Sequence, residues 1–271
     1  MPDSPLDLGL LFLTGIFTGV LSGVLGIGGG VLLVPALTLF GTSTVQATAT
    51  SLVGVFLSAT SGSLQNLRTK QLNWRIALTL GAFGILTAQL GAWLGDRIPD
   101  TALSLGFAAL LLVTIYLMNL RKRLKQEQSG QGEDEPDNGD RPDDDSGADQ
   151  QTYRFKPIAG IGLLAGVLSG LFGVGGGVVM VPLQVLFLRE PIKVAVRTSL
   201  GAIVAIAISG IIQHTLNNNV LWLPGLCIGV GGVLGAQIGT RLLPKLPDRM
   251  VNLLFRLLLI ALAVYMVVRG V

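Results

Sequence analysis

The sequence predicts an all-α polytopic membrane protein, and three observations carry that reading. Half of the 271 residues are hydrophobic and only 13% are charged, against roughly 25% charged in an average soluble domain. Apolar runs recur at 45–64, 76–94, 102–120, 194–212, 221–242 and 251–268, each close to the ~20 residues that cross a hydrocarbon core as a helix. A glycine-broken apolar phrase is also written twice, "GVLSGVLGIGGGVLLVPAL" from Gly19 and "GVLSGLFGVGGGVVMVPLQ" from Gly166, 147 residues later. A soluble fold would instead show amphipathic stripes, because one face of each helix must meet water.

Taken in order, residues 1–125 form a first transmembrane repeat. It opens on the broken segment 8–40, where Gly26–Gly30 interrupt the helix and Pro35 limits the helix beyond; a new helix is expected near Val31. No Lys or Arg precedes Arg68, so the basic region of a cleavable signal is missing. Three full spans complete the repeat. Residues 126–152 are a linker: Glu127–Gln151 hold ten of the sixteen acids and no apolar cluster. Such a stretch cannot bury enough surface to offset its ordering entropy and is expected to be disordered, cytoplasmic and dispensable. Residues 153–271 repeat the plan, with the break at Gly173–Gly177, Pro182 beyond it, a helix expected near Val178, and three more spans.

The halves align past the opening phrase at an offset of 148: Thr50–Leu52 with Thr198–Leu200, Trp74 with Trp222, Ala88–Gly91 with Ala236–Gly239, and Pro99–Asp100 with Pro247–Asp248. Rare polar residues kept in step mark a tandem repeat of the kind transporters use. If each broken segment returns to its own side, the repeats are inverted and sixteen Lys/Arg fall on the linker's side, with only Arg97 and Arg269 opposite. If each crosses once, eight spans in parallel repeats split the cations eleven to seven. Positive charge collects on the cytoplasmic side, which favours inversion, with Asn217–Asn219 outside.

Irregular backbone inside lipid must face protein or a water-filled cavity. Gly28, Gly29 and Gly30, with Gly175, Gly176 and Gly177, are therefore expected to bring two discontinuous helices to one anion site near the midplane. Free N–H groups and the positive dipole end would supply the attraction there. The alternative is close helix crossing through small residues. Thr50, Ser51, Gln65 and Asn66 recur as Thr198, Ser199, Gln213 and His214, and Gln89 recurs as Gln237; these side chains can donate to an anion or bond helix to helix. Arg197 has no basic counterpart and is either a substrate charge or a snorkelling anchor. His214, the one histidine, is either a proton-sensitive group or a hydrogen-bonding residue at a loop edge. On the site reading, alanine at Gly29 or Gly176 should cut transport, while alanine at Gly15 or Gly160 should be mild.

The gaps in the sequence narrow the function. No Asp or Glu lies inside a predicted span, which disfavours cation export. There is no Walker A pattern and no Cys/His cluster, so neither ATP use, a metal, a cofactor nor an enzymatic centre is expected. Cys227 reads as a small apolar residue. The basic residues are dispersed over loops rather than gathered for nucleic acid. The expected partners are a small anion, the bilayer and a coupling proton or sodium ion; composition leaves oligomeric state open.

The doubled "GVLSGxxGxGGGxxxVP" phrase, the "ATSL"-type step and the later "GAxxGAxxG"-type helix resemble the TauE/SafE family of sulfite-exporter-like permeases. The resemblance covers nearly the whole chain except the acidic linker. It implies a multispanning permease that moves small anions such as sulfite or organosulfonates across the cytoplasmic membrane; the function expected is a secondary permease exporting such an anion by alternating access of the repeats. A passive anion channel and a membrane scaffold that uses its acidic linker are the competing readings. "VRTSL" in the second half departs from "TATSL" in the first, and the resemblance leaves the role of Arg197 open.

Overall fold

The structure is a computed structural model that describes residues 5–129 and 155–270, with side chains at 100, 104, 117–129 and 266–270 outside the description. The regular structure of the described residues is all helical, without a strand. The first half comprises α1 (Pro5–Leu25), α2 (Gly30–Leu39), α3 (Thr44–Arg68), α4 (Trp74–Gly95) and α5 (Asp100–Ser129). The second repeats this order as α6 (Phe155–Phe172), α7 (Gly177–Leu183), α8 (Ile192–Leu216), α9 (Trp222–Leu242) and α10 (Asp248–Gly270). Residues 126–129, read from the sequence as linker, are the end of α5; the remainder of the linker lies outside the described residues.

Local chemistry sets several boundaries. Ser43 caps α3 by accepting the Gln46 N–H at 3.3 Å, and Asn73 caps α4 by accepting the Ile76 N–H at 3.4 Å. Each cap satisfies a donor that the first helical turn leaves orphaned. The turns after α3 and α8 are built alike, each with a left-handed residue at its centre: Lys70 at φ 54° and Asn218 at φ 55°.

Glycine stripes decide which helices touch. Gly15, Gly19 and Gly23 of α1 face Gly231, Gly235 and Gly239 of α9, every fourth residue on both helices. That spacing lets backbones approach as small-xxx-small interfaces do. The contacts advance together along both helices, so α1 and α9 run parallel; α6 and α4 do the same through Gly162, Gly166 and Gly170. Alanine at Gly15 would collide with the Ile228 carbonyl, so the mild effect expected from the sequence is corrected: a severe one is expected. Gly160 has nothing within 4 Å, and there the mild effect is retained.

The equivalent helices α3 and α8 run antiparallel. A methyl on Gly210 would lie 2.8 Å from Leu52, and one on Gly62 would lie 3.4 Å from Leu200. Because α1 and α3 both run with α9, α2 must turn back from the break. The ends of α3 and α9 and the starts of α4, α6, α8 and α10 therefore share one face. They bring Arg68, Lys70, Arg75, Lys156, Arg189, Lys193, Arg241, Lys245 and Arg249 to it. Lys193 bonds Asp248 there at 3.4 Å. The opposite face carries the Asn217–Asn219 turn and the α4–α5 corner with Asp96 and Arg97.

Among the described residues, six helices are long and apolar enough to cross a membrane: α1, α3, α4, α6, α8 and α9. The number matches the sequence reading but the membership differs. The break sits at the far end of each first arm, so α1 with 21 residues and α6 with 18 are themselves long enough to span. The runs 102–120 and 251–268 fall in α5 and α10, whose ends reach side chains outside the description. Leu10, Leu13 and Phe17 of α1, Leu86 and Leu90 of α4, and Leu226, Val230 and Leu234 of α9 form an exposed apolar surface, as lipid contact requires. Trp74, Trp93 and Trp222 are exposed at helix ends, where an interfacial aromatic belt would sit.

Candidate functional site

The two breaks meet at mid-length of the α3–α8 pair. A methyl on Gly28 would lie 3.0 Å from Val55 and 3.3 Å from Ile203, and one on Gly175 would lie 2.8 and 3.0 Å from the same two residues. Val55 and Ile203 are each the twelfth residue of a 25-residue helix. Gly28, Gly29, Gly175 and Gly176 hold φ between 72° and 82°, a region open to glycine and strained for other residues. Gly29 and Gly176 are the N-caps of α2 and α7, so each helix restarts one residue before the sequence reading.

The breaks touch each other through main chain. A methyl on Gly30 would strike the Gly173 carbonyl and approach the Val174 Cα at 2.8 Å; one on Gly177 would strike the Gly26 carbonyl and approach the Ile27 Cα at 2.8 Å. Ser51 donates its hydroxyl to the Gly173 carbonyl at 2.9 Å, and Ser199 donates to the Gly26 carbonyl at 2.8 Å. Both serines thus tie one half's helix to the other half's break.

The remaining candidates fall into two groups rather than one. Thr50 and Gln65 lie fifteen residues apart on α3, about 22 Å along a helix. Thr50 and Ser51 accompany Gln213 and His214 at one end of the antiparallel pair, while Gln65 and Asn66 accompany Thr198 and Ser199 at the other. A single small-anion site cannot include them all, and the sequence expectation is corrected in that respect. Thr50 accepts the Leu221 N–H at 3.0 Å. Gln237 donates to the Ser61 hydroxyl at 2.9 Å, whereas Gln89 is exposed on the outer side of α4. Gln65 and Gln213 are half-buried. Arg197 is also half-buried, in the second turn of α8, with its Nε buried and without a hydrogen-bond partner.

His214 is buried and its Nε2 lies 3.3 Å from the Gly170 carbonyl. Its Nδ1 stands 3.8 Å from Asp96 Oδ1, beyond hydrogen-bond reach. Asp96 accepts hydrogen bonds from the side chains of Asn217 and Asn219, the latter at 2.8 Å. This carboxylate therefore fastens the first half's α4–α5 corner to the second half's α8–α9 turn. Its repeat counterpart is Pro244, which cannot do the same.

Sequence reasoning missed several buried polar groups. The hydroxyls of Ser22, Ser169 and Thr48, like that of the expected Thr198, are buried without a hydrogen-bond partner among the described residues. The signal was present for two of them, since Ser22 and Ser169 recur inside the doubled phrase. Ser22 flanks the break, with its Cβ 3.7 Å from where a methyl on Gly29 would sit. Each such buried hydroxyl is free to donate to a water or a polar ligand.

The sulfite exporter TauE/SafE family matches residues 11–266, both breaks included. The chain belongs to the TauE/SafE family. Curated relatives agree in kind. A Bacillus subtilis protein named "Probable membrane transporter protein YunE" is 26% identical over 97% of this chain and 98% of its own. A "Probable membrane transporter protein" of Xylella fastidiosa strain Temecula1 is 28% identical over 95% and 94%. "Probable membrane transporter protein YdhB" of Bacillus subtilis is 27% identical over 87% and 91%. No solved structure matches. This TauE/SafE chain is therefore a multi-pass membrane transporter, not an enzyme.

Proposed function

We propose that this transporter exports a small anion, sulfite or an organosulfonate, across the cytoplasmic membrane by alternating access of two inverted repeats. The observation that carries this reading is the meeting of two glycine breaks at mid-length of antiparallel α3 and α8. A central site shared by two oppositely directed halves is what alternating access needs. The family's name supplies the substrate class. The ten-residue α2 begins at Gly30 with no side-chain cap, and the unpartnered Ser22 hydroxyl lies beside it. Backbone N–H groups and that hydroxyl bind an oxyanion without a buried cation. The cation-rich face is cytoplasmic, and the linker lies on that side.

Proteoliposomes loaded with labelled sulfite or taurine test the substrate directly. Efflux should saturate with concentration, as a carrier's does; unsaturated flux with electrical conductance would replace the carrier with a channel. Orientation is tested separately by single cysteines on a Cys227→Ser background. A cysteine at Asn218 should react only with reagent added outside, and one at Thr69 only after permeabilisation. The reverse pattern would overturn the assigned orientation.

A further inference from the structure

The offset between the repeats changes from 147 at Pro35 and Pro182 to 148 at the left-handed residues Gly41 (φ 81°) and Arg189 (φ 56°). The second half therefore carries one extra residue in this stretch. It is absorbed as a π-turn, Gln184–Leu188, which the first half lacks. A one-residue insertion is how such turns arise within helices, and they collect at functional sites.

Two polar side chains lie on this return. Gln184 is fully buried, and neither atom of its amide has a partner among the described residues. Glu190 is 4% exposed, and its Oε2 is likewise without one. The counterpart of Glu190 is Thr42, whose hydroxyl donates to the Leu37 carbonyl at 2.8 Å. A neutral carboxyl can donate a hydrogen bond as that hydroxyl does; a carboxylate has no proton to give.

We propose that Glu190 is a proton-binding site that couples anion passage to a proton gradient, a role that rests on the transporter reading above. A proton entering from the cation-rich face adds to the Glu190 carboxylate, makes it neutral and lets it donate within the return. Loss of that proton leaves a buried charge that drives the return open towards water.

Among the described residues, the surroundings give the carboxyl no fixed counter-charge. The π-turn packs against α5, α6, α7 and α8. Of these, α7 has no ionisable residue and α6 offers only Lys156, exposed at its start. The described side chains of α5 offer Tyr116, which is exposed. On α8, Lys193 is held by Asp248 at 3.4 Å and Arg197 lies two turns in; neighbouring Arg189 is exposed. Burial alone pushes the Glu190 carboxyl up to about 7. The folded chain then holds this proton more tightly than the unfolded one. Its contribution to stability falls as pH rises from the ordinary carboxylate range through about 7.

Two variants test the site. Glu190→Gln keeps the shape without titration, and Glu190→Thr installs the first half's own hydroxyl, guarding against misfolding. Infrared difference spectra against pH, recorded in nanodiscs, should show a carboxyl titrating near neutrality in the wild type and absent from both variants. In proteoliposomes, an imposed pH gradient should change the sulfite flux of the wild type several-fold and leave both variants unresponsive. The proposal falls if no carboxyl signal near neutrality disappears with Glu190, or if both variants respond to the gradient as the wild type does. A wild type that titrates at Glu190 but moves no sulfite supports the proton site and removes the sulfite assignment instead.

Discussion

Alanine at Gly30 or Gly177 is expected to abolish transport and to lower the thermal stability of the purified protein sharply. Neither position needs a left-handed backbone, so the damage is steric: each added methyl meets the main chain of the opposite break. Main chain cannot rotate aside as a side chain can, so the cost should reach or exceed the ~1–3 kcal/mol typical of overpacking. Gly41 supplies the control for strain alone, with φ 81° and open space around its Cβ position. Alanine there should cost about 1–2 kcal/mol, the usual left-handed penalty. Gly29 resembles Gly41, with its nearest atom at 3.4 Å, whereas Gly176 adds a 2.7 Å approach to the Ala165 carbonyl. Thermal unfolding in detergent should therefore rank Gly160, then Gly29 with Gly41, then Gly176, then Gly30 and Gly177. Wild-type stability and flux in Gly30→Ala would show that the breaks do not abut. If Gly29→Ala loses anion affinity far beyond its loss of stability, α2's N-terminus touches the ligand; matched losses would leave it a packing residue.

Removing the Asp96 carboxylate should produce the second large effect. Asp96→Ala leaves Asn217 and Asn219 without the acceptor that joins them to the first half. Hydrogen bonds to a charged group contribute about 1.5–3 kcal/mol each, and 1.4 kcal/mol is about tenfold in a two-state population. Outward accessibility should rise at least about tenfold on that scale. The readout is the labelling rate of a cysteine at Gln213, added from outside on the Cys227→Ser background. Asp96→Asn, which keeps one acceptor oxygen, should fall between the two. Unchanged labelling in Asp96→Ala would mean that this corner does not hold the outer face closed.

The breaks were legible because glycine is the residue that takes a left-handed backbone without strain, and two copies in register excluded chance. What the sequence could not state is what fills the space beside each glycine. Gly15 looked like an ordinary helical position, yet it lies against Ile228, more than two hundred residues away. Gln89 and Gln237 recur in step but face different surroundings, one outward and one onto Ser61, because the halves share a plan without sharing neighbours. Thr50 and Gln65 looked like one group because sequence gives order along a helix, not which helix lies beside it. Glu190 escaped notice for another reason. It belongs to no span, and only the fold shows that its side chain is buried between two exposed neighbours.

The main-chain contact between Gly26–Gly30 and Gly173–Gly177 has a mechanical consequence. Side-chain interfaces yield by changing rotamers, but a joint of peptide planes has none to change. If one repeat rocks on the other, this centre must act as a stiff bearing that turns with little local rearrangement. Displacement then grows with distance from it, as along a lever, and is largest at the two faces. Small energies applied at the rim, by one carboxylate on the outer side or one proton on the inner, would act with the longest arm.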